Sequence, residues 1–313
     1  MTVTWPDSID SIFGGDLAVA LGYRTPAGGV VVQAVAPVGL RDRKRGTLGF
    51  TTSLGFSKKL ERIELDPRVS LAFHTRRHGS ASTDQYVLAQ GVARVIAQPS
   101  DAEVERMRAA AAAYLGPPKR GLFWDRWLRE YYQVRVPVDV VVDRLIVWPA
   151  LTAEGAPEVS GRPLPGSDPA PQRAPRNGTG PRIDVSRAAR RLRGTEHTLL
   201  GFADADGAPV ILPVAIGADD ASGISLTSAS MLPSGGRRAG LLGHSFQPKL
   251  IGLEARQHTG WIEVSADGRA RYAPHTETGY KAPANKTLLL LLNGALAKQG
   301  VRKARKAAAS GAG

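Results

Sequence analysis

The sequence predicts a mainly β protein with a few helices, arranged as two small barrels in tandem. Short apolar segments separated by Gly, Pro and Asp turns occur in both halves of the 313 residues. Several short strands with a single lateral helix, the pattern of the first half, are typical of a small barrel and not of a layered α/β fold. A stretch rich in Pro and Gly separates the halves. We therefore expect an N-terminal domain at 1–151, a linker at 152–182 and a C-terminal domain at 183–313.

The strands of the first domain follow one another closely. Residues 17–38 are apolar with a break at 25–29, which predicts two strands joined by a turn. Further strands are predicted at 48–52, 69–75, 85–97 and 134–147. The segment 85–97 is long enough to bend, and Gly91 is the expected position of the bend. Ser100 is expected to cap a helix over 101–115, which has acids in its first turn and ends at Gly116 and Pro117.

The second domain repeats this pattern. Segments 197–202 and 210–215 predict two strands with an Asp/Gly turn between them. The next segment, Ile224 to Ser228, aligns with Leu48 to Thr52 of the first domain. We interpret the second domain as a diverged copy of the first.

The alignment of the two copies continues at Pro248 to Leu250, which matches Pro67 to Val69. It implies an insertion, and the basic turn Gly235 to Arg238 would then stand where Ser57 to Lys59 stand in the first copy. After Glu254 the match ends. A tight hairpin is expected there, around Asp267 and Gly268, in place of the longer strand of the first copy.

The segment from Gly49 to Lys59 has the pattern of an anion-binding site. A predicted strand ends in hydroxyl side chains, and a short predicted helix then opens with two lysines. The residues concerned are Thr51, Thr52, Ser53, Ser57, Lys58 and Lys59. Hydroxyls, backbone N–H groups at a helix N-terminus and ammonium groups all favour a phosphate. The pattern predicts a phosphorylated cofactor, held by either Thr52 or Ser53, since only one of two neighbours on a strand faces the pocket.

These residues, with Asp66-Pro67-Arg68-Val69, resemble the cofactor segment of the pyridoxamine 5'-phosphate oxidase-like flavin-binding split β-barrels. Residues 86–95 resemble the next strand of that family, and the similarity covers roughly residues 13 to 149. The resemblance implies Greek-key split barrels and an FMN- or deazaflavin (F420)-dependent oxidoreductase acting on a small molecule. Tyr86 stands near a position where the oxidases have a Gln for the flavin ring, so it is a cofactor-binding candidate that departs from the family pattern. Such barrels dimerise with the flavin at the interface, so a tandem chain is expected to form an intramolecular pseudo-dimer, which can pair again as a homodimer.

The sequence also departs from that family. Lys58 stands where the oxidases carry Arg, and no Arg-x-x-Leu-Leu-Lys strand precedes residue 45. Lysine offers a point charge in place of the planar, bidentate guanidinium. Pyridoxamine phosphate oxidation itself is therefore not predicted. An FMN enzyme and an F420 reductase remain open, and so does a non-catalytic flavin- or haem-binding or scaffold protein built on degenerate barrels, with haem the less favoured ligand.

The composition and charge argue against several other classes of protein and of functional site. The chain contains no cysteine, which removes disulfides, Cys-based metal sites and thiolate nucleophiles. Its net charge of +13 is dispersed over 41–45, 187–193 and 298–306, which indicates solvated surface and not a specific nucleic-acid site. The longest aliphatic run, 288–292, is too short for a membrane span, and no secretory leader is evident, so a cytoplasmic protein is expected. No hydrolase, P-loop or dinucleotide motif occurs.

The histidines and two arginines are weaker candidates for ligand-binding residues. The six histidines have no spacing that fixes a metal site, so none is predicted, although one histidine would suffice for haem. Arg237 and Arg238 are candidates for a second phosphate or for the anionic tail of a deazaflavin. An exposed basic turn is the favoured interpretation of both.

Overall fold

The computed structural model describes residues 3–53, 57–116, 121, 126, 135–285, 287–288, 291 and 295. Residues 54–56, which join the predicted strand and helix of the anion-binding segment, lie outside the described residues, as do Pro117 and the basic cluster at 298–306. No helix in the described part of the chain is long and apolar enough to cross a membrane.

The described residues of the N-terminal half form one antiparallel sheet, with the three helices α1 to α3 against it. The helices are α1 (Asp7–Gly15), α2 (Ser57–Leu65) and α3 (Asp101–Leu115). The strands are β1 (Val19–Arg24), β2 (Val30–Val35), β3 (Arg41–Asp42), β4 (Thr47–Ser53), β5 (Arg68–Phe73), β6 (Tyr86–Val95), β7 (Arg135–Trp148) and β8 (Glu158–Gly161). They pair in the order β2-β1-β5-β6-β7-β4-β3, and β8 also pairs with β7.

The C-terminal half forms a second sheet of the same design. After the helix α4 (Val185–Arg193), its strands are β9 (His197–Ala203), β10 (Pro209–Pro213), β11 (Ala215–Asp220), β12 (Gly223–Thr227), β13 (Gly235–Ser245), β14 (Glu254–Val264) and β15 (Ala270–Lys281). Their order is β10-β9-β13-β14-β15-β12-β11. When the strands β1 to β7 of the first sheet are matched in sequence with β9 to β15 of the second, the two sheets have the same strand order. The fold is therefore mainly β, with two split-barrel domains in tandem, as the sequence predicts.

Local sequence signals explain several elements. Ser100 accepts a hydrogen bond from the Glu103 backbone N–H while the Glu103 carboxylate accepts one from the Ser100 N–H, a complete capping box that starts α3 at the predicted residue. The strand β6 shifts register at Gly91, and β14 shifts at Gly260 in the matching place. A Cβ at Gly91 would lie 2.1 Å from the Val141 carbonyl oxygen, so only glycine permits this close approach.

The structure corrects the alignment of the second copy. Ser70 pairs with Gly22 of β1, and Gly240 pairs with Gly201 of β9, so Arg238 corresponds to Arg68 and lies within β13. The matched segment Pro248–Leu250 is instead a 3-10 turn after that strand. The sequence alignment was wrong here because both segments contain a proline, a basic residue and an aliphatic residue in succession.

The same register shows a deletion where the alignment implied an insertion. Only residues 228–234 join β12 to β13, and α2 has no counterpart among them. The match of the two copies also does not end after Glu254. The strands β14 and β15 are long and continue the shared topology, joined by the predicted tight turn.

The two sheets pack against each other reciprocally. Strand β2 lies against β9, β13 and β14, while β10 lies against β1, β5 and β6, which are the equivalent strands. One hydrophobic cluster takes residues from both sheets, among them Tyr86, Trp148, Leu200 and Ile211. The contacts between the two sheets are therefore made by equivalent strands on both sides.

Polar contacts and the segment 152–182 reinforce this interface. Arg144, 1% exposed, donates to Asp206 of the other domain at 2.6 Å and to Gln90 at 2.7 Å. Gln172 donates to the Gly28 carbonyl and accepts from the Arg238 backbone N–H, at 3.1 and 3.0 Å. The segment rich in Pro and Gly therefore contacts both domains.

Candidate functional site

The predicted anion-binding residues lie where β4 ends, β7 begins and α2 starts. In the β4–β7 register Thr51 pairs with Pro137, Thr52 with Val136 and Ser53 with Arg135. The antiparallel pairing therefore places a second cation, Arg135, directly opposite the end of the hydroxyl-rich strand.

Lys59 is the buried member of the two lysines. It lies in the first turn of α2, one turn before Ile63, and its apolar neighbours Leu60 and Ile63 face the core. The i, i+4 spacing carries Lys59 onto the same face as Ile63, so that it is only 6% exposed. Burial and then the positive charge of Arg135 lower the pKa of Lys59 to about 8. Lys58 is exposed.

A threonine hydroxyl at the end of β4 lies beside the cation of Arg135. Thr51 accepts a hydrogen bond from Nη1 of Arg135 at 3.2 Å, and Thr52 is 4% exposed. Ser53 ends β4 and Ser57 begins α2, so both backbones belong to the same corner. An anion at this corner would meet two positive charges, the Thr51 hydroxyl and the first backbone N–H groups of a helix.

The structure brings together some predicted residues and separates others. Lys59 and Thr51 belong to one corner, and Arg135 joins them without having been predicted. Thr52 is the next residue of β4, so its side chain lies on the opposite face of the strand from Thr51. No local signal singles out Arg135, because its place here depends on the antiparallel pairing of β7 with β4. Tyr86 pairs with Trp148, at the other end of β7 from Arg135. It is fully buried and donates to the Ile211 carbonyl of the other domain at 2.5 Å, so the chain does not bring it to the corner.

The second domain does not rebuild this corner. Ser228 follows β12 where Thr52 stands in the first domain, and it donates to the Pro213 carbonyl. Arg237 is not the exposed basic turn expected from the sequence, since it is 2% exposed and donates to the carbonyls of Pro169, Pro233 and Ser234. Arg238 is partly buried within β13.

A histidine cluster lies at the domain interface, away from the corner. The Nε2 atoms of His74 and His244 are 2.6 Å apart, and the ring of His197 lies 5.5 and 5.1 Å from their rings. A cavity of about 590 Å³ adjoins it, lined by His74, His197 and residues of both domains. In the described residues no group of three or more His, Asp or Glu side chains is placed to hold a metal ion.

Comparison with known proteins identifies solved structures only. No protein-family model and no curated protein matches the sequence. A conserved hypothetical protein from Mycobacterium tuberculosis is 21% identical, with a TM-score of 0.36, over 47% of this chain and 86% of its own. An FMN-binding, pyridoxamine 5'-phosphate oxidase-related protein from Nostoc punctiforme is 13% identical, with a TM-score of 0.29, over 42% and 74%. An F420 reductase is 17% identical, with a TM-score of 0.32, over 44% and 94%. The structural neighbours of this chain thus include pyridoxamine 5'-phosphate oxidase-like FMN-binding proteins and an F420 reductase, each matching about half of it.

Proposed function

We propose that the N-terminal domain binds the phosphate of FMN or F420 at the corner formed by Lys59, Arg135 and Thr51, and that the protein is a flavin- or deazaflavin-dependent oxidoreductase. The observation that carries the proposal is the burial of Lys59 beside Arg135. Burial and the nearby charge of the half-buried Arg135 both disfavour the protonated form of Lys59, and a bound anion favours it.

The residues present fit a phosphate group. Lys59 and Arg135 supply charge, Thr51 supplies a hydroxyl, and the start of α2 supplies backbone N–H groups. When bound, the flavin or deazaflavin ring supplies the hydride chemistry, and the protein's task is to anchor and orient it. The protein therefore needs no acid–base pair at this corner.

The proposal includes an intramolecular pseudo-dimer with one cofactor per chain. The two domains meet across a reciprocal interface, but only the first has α2 and its lysine. The domain boundaries near residues 151 and 183 belong to the same proposal.

Titration of the purified protein with FMN, FAD and F420, followed by visible absorbance and fluorescence, tests the function. We expect a complex with FMN or F420 that saturates at one cofactor per chain. Two equivalent sites per chain would contradict the assignment to the first domain, and the absence of binding to all three would contradict the function. Binding without turnover would favour the non-catalytic alternative.

The affinity for the cofactor should fall as the pH rises. The pKa of Lys59 is lowered to about 8, so this amine loses its charge between pH 7 and pH 9, where a phosphate monoester remains a dianion. An anion favours the protonated amine, so binding raises the pKa of Lys59 and takes up a proton. We expect the affinity for FMN to fall about tenfold from pH 7 to pH 9, measured by calorimetry in buffers of different ionisation enthalpy. Lys59→Met should remove most of this dependence, and an unchanged pH profile in that variant would contradict the assignment.

A further inference from the structure

The histidine pair at the interface occupies equivalent positions in the two domains. His74 follows β5 and His244 lies near the end of β13, and the registers of these strands on β1 and β9 place them four residues beyond Ser70 and Gly240 respectively. Each domain therefore contributes the same residue to the interface, where the two Nε2 atoms meet at 2.6 Å.

The hydrogen bonds fix where the protons are in the neutral pair. Nδ1 of His74 lies 3.0 Å from the Ala72 carbonyl, which can only accept, so Nδ1 carries a proton. The Nε2 atom of neutral His74 is then a bare acceptor, and Nε2–H of His244 donates to it. Nδ1 of His244 is left bare, and it has no hydrogen-bond partner among the described residues. The pair thus shares one proton across the interface and keeps one buried lone pair.

No carboxylate is among the groups that shift the pKa of His74 or His244, whereas Glu196 lies 3.9 Å from Nε2 of the third histidine, His197. The loop after β5 contributes Arg76, Arg77 and His78, the start of β9 contributes Glu196 and His197, and β13 is followed by Phe246, which stacks on His244. The carboxylates that face the cluster are already paired. Glu196 pairs with Arg77 at 2.8 Å, and Asp16, which follows α1, pairs with Arg76 at 2.5 Å. Asp84 acts on Arg76 from the same loop.

Acid is expected to weaken the closed interface between the two domains. Burial lowers the pKa of His74 to about 3, and burial together with His74 and His197 lowers the pKa of His244 well below its ordinary range. The closed interface therefore binds fewer protons than an opened one. Its stability is fully present above about pH 6.5, the ordinary histidine value, and decreases as the pH falls below it.

We propose that the His74–His244 pair is an acid-sensitive latch, through which protonation separates the two domains before either sheet unfolds. With both imidazoles protonated, the Nε2–Nε2 hydrogen bond is lost because neither nitrogen can accept. The adjoining cavity of about 590 Å³ reaches His74 and His197, and it gives protons a route to the pair from solvent.

Site-specific labelling can follow the separation, because the chain contains no cysteine. Glu64→Cys on α2 and Ala266→Cys in the β14–β15 turn are exposed positions, one in each domain, for a fluorescent donor and acceptor. We expect energy transfer to change between pH 6.5 and pH 4.5 while far-ultraviolet circular dichroism stays constant, and the opening constant to rise by up to about a hundredfold per pH unit, since two protons are taken up.

The matched variants separate the latch from a general effect of acid. His74→Gln/His244→Gln keeps polar groups at the interface that do not titrate, and it should remain closed to a lower pH. His258→Gln is the control, because His258 is buried within the second domain and burial lowers its pKa to about 4. It should open like the wild type. Opening of the double variant at the wild-type pH, or simultaneous loss of energy transfer and circular dichroism in the wild type, would overturn the proposal.

Hydrogen exchange of the wild-type chain decides the matter if the double variant does not fold. The edge strands β2 and β10 cover the opposite sheet, so their amides should lose protection between pH 6.5 and pH 4.5 after correction for the intrinsic rate. The strands β7 and β15 should keep theirs. Equal changes in all four strands would contradict a latch.

Discussion

Lys59→Ala is expected to weaken FMN or F420 binding by roughly ten- to a hundredfold or more, since a hydrogen bond to a charged group contributes about 1.5 to 3 kcal/mol. Lys59 is buried beside Arg135, so its ammonium group is desolvated and its contribution to anion binding is little screened by solvent. Fluorescence titration at pH 7 measures the change.

The adjacent lysine provides the control for this experiment. Lys58 precedes Lys59 on the same helix but is exposed, so Lys58→Ala removes one positive charge from the surface and should change the affinity by less than about threefold. Equal effects of the two substitutions would indicate a general electrostatic attraction and would contradict a phosphate site at Lys59. No effect of either would remove the site.

Asp206→Asn is expected to lower the free energy of unfolding by about 3 kcal/mol, the lower end of the cost of breaking a buried ion pair. Arg144 is 1% exposed, and Asp206 of the other domain is the carboxylate that pairs with it at 2.6 Å. Asparagine preserves the shape and one acceptor but leaves the guanidinium charge buried. Denaturant unfolding should show a lower midpoint with an unchanged slope.

A surface ion pair gives the comparison. Asp7 pairs with Arg43 where both side chains are exposed, so Asp7→Asn should change the stability by no more than about 0.5 kcal/mol. If Asp206→Asn were equally mild, the Arg144 network would not stabilise the contact between the domains.

The sequence signals that succeeded are local. The helix α3 begins and ends as predicted because its capping box and its terminal glycine act on neighbouring residues. Two short helices were not predicted. Pro6 gives α1 no side-chain cap. The helix α4 does have a helical pattern, because its buried residues recur at helical spacing after the Asp184 cap, but four arginines lie among them. The buried residues are Val185, Ala188, Ala189 and Leu192.

The candidate site shows a different limit. Thr51 and Lys59 could be chosen from a single stretch of chain, because a strand end and a helix start are adjacent in sequence. Arg135 could not, since its place beside them depends on antiparallel pairing of strands 84 residues apart. The interface histidines also required the pairing of two domains. Contacts of this kind depend on register, which a single sequence leaves open.

The second domain has no helix equivalent to α2 between β12 and β13, and this difference between the two copies bears on how a tandem protein can evolve. In a homodimer, one gene encodes both sides of the interface, so a deletion that removes a site from one subunit removes it from the other. Joining the two copies in one chain releases this constraint, and each half can acquire substitutions independently. One half of this protein can therefore specialise as a partner that supports the other, while residues at the interface, such as His74 and His244, can still be retained as an identical pair.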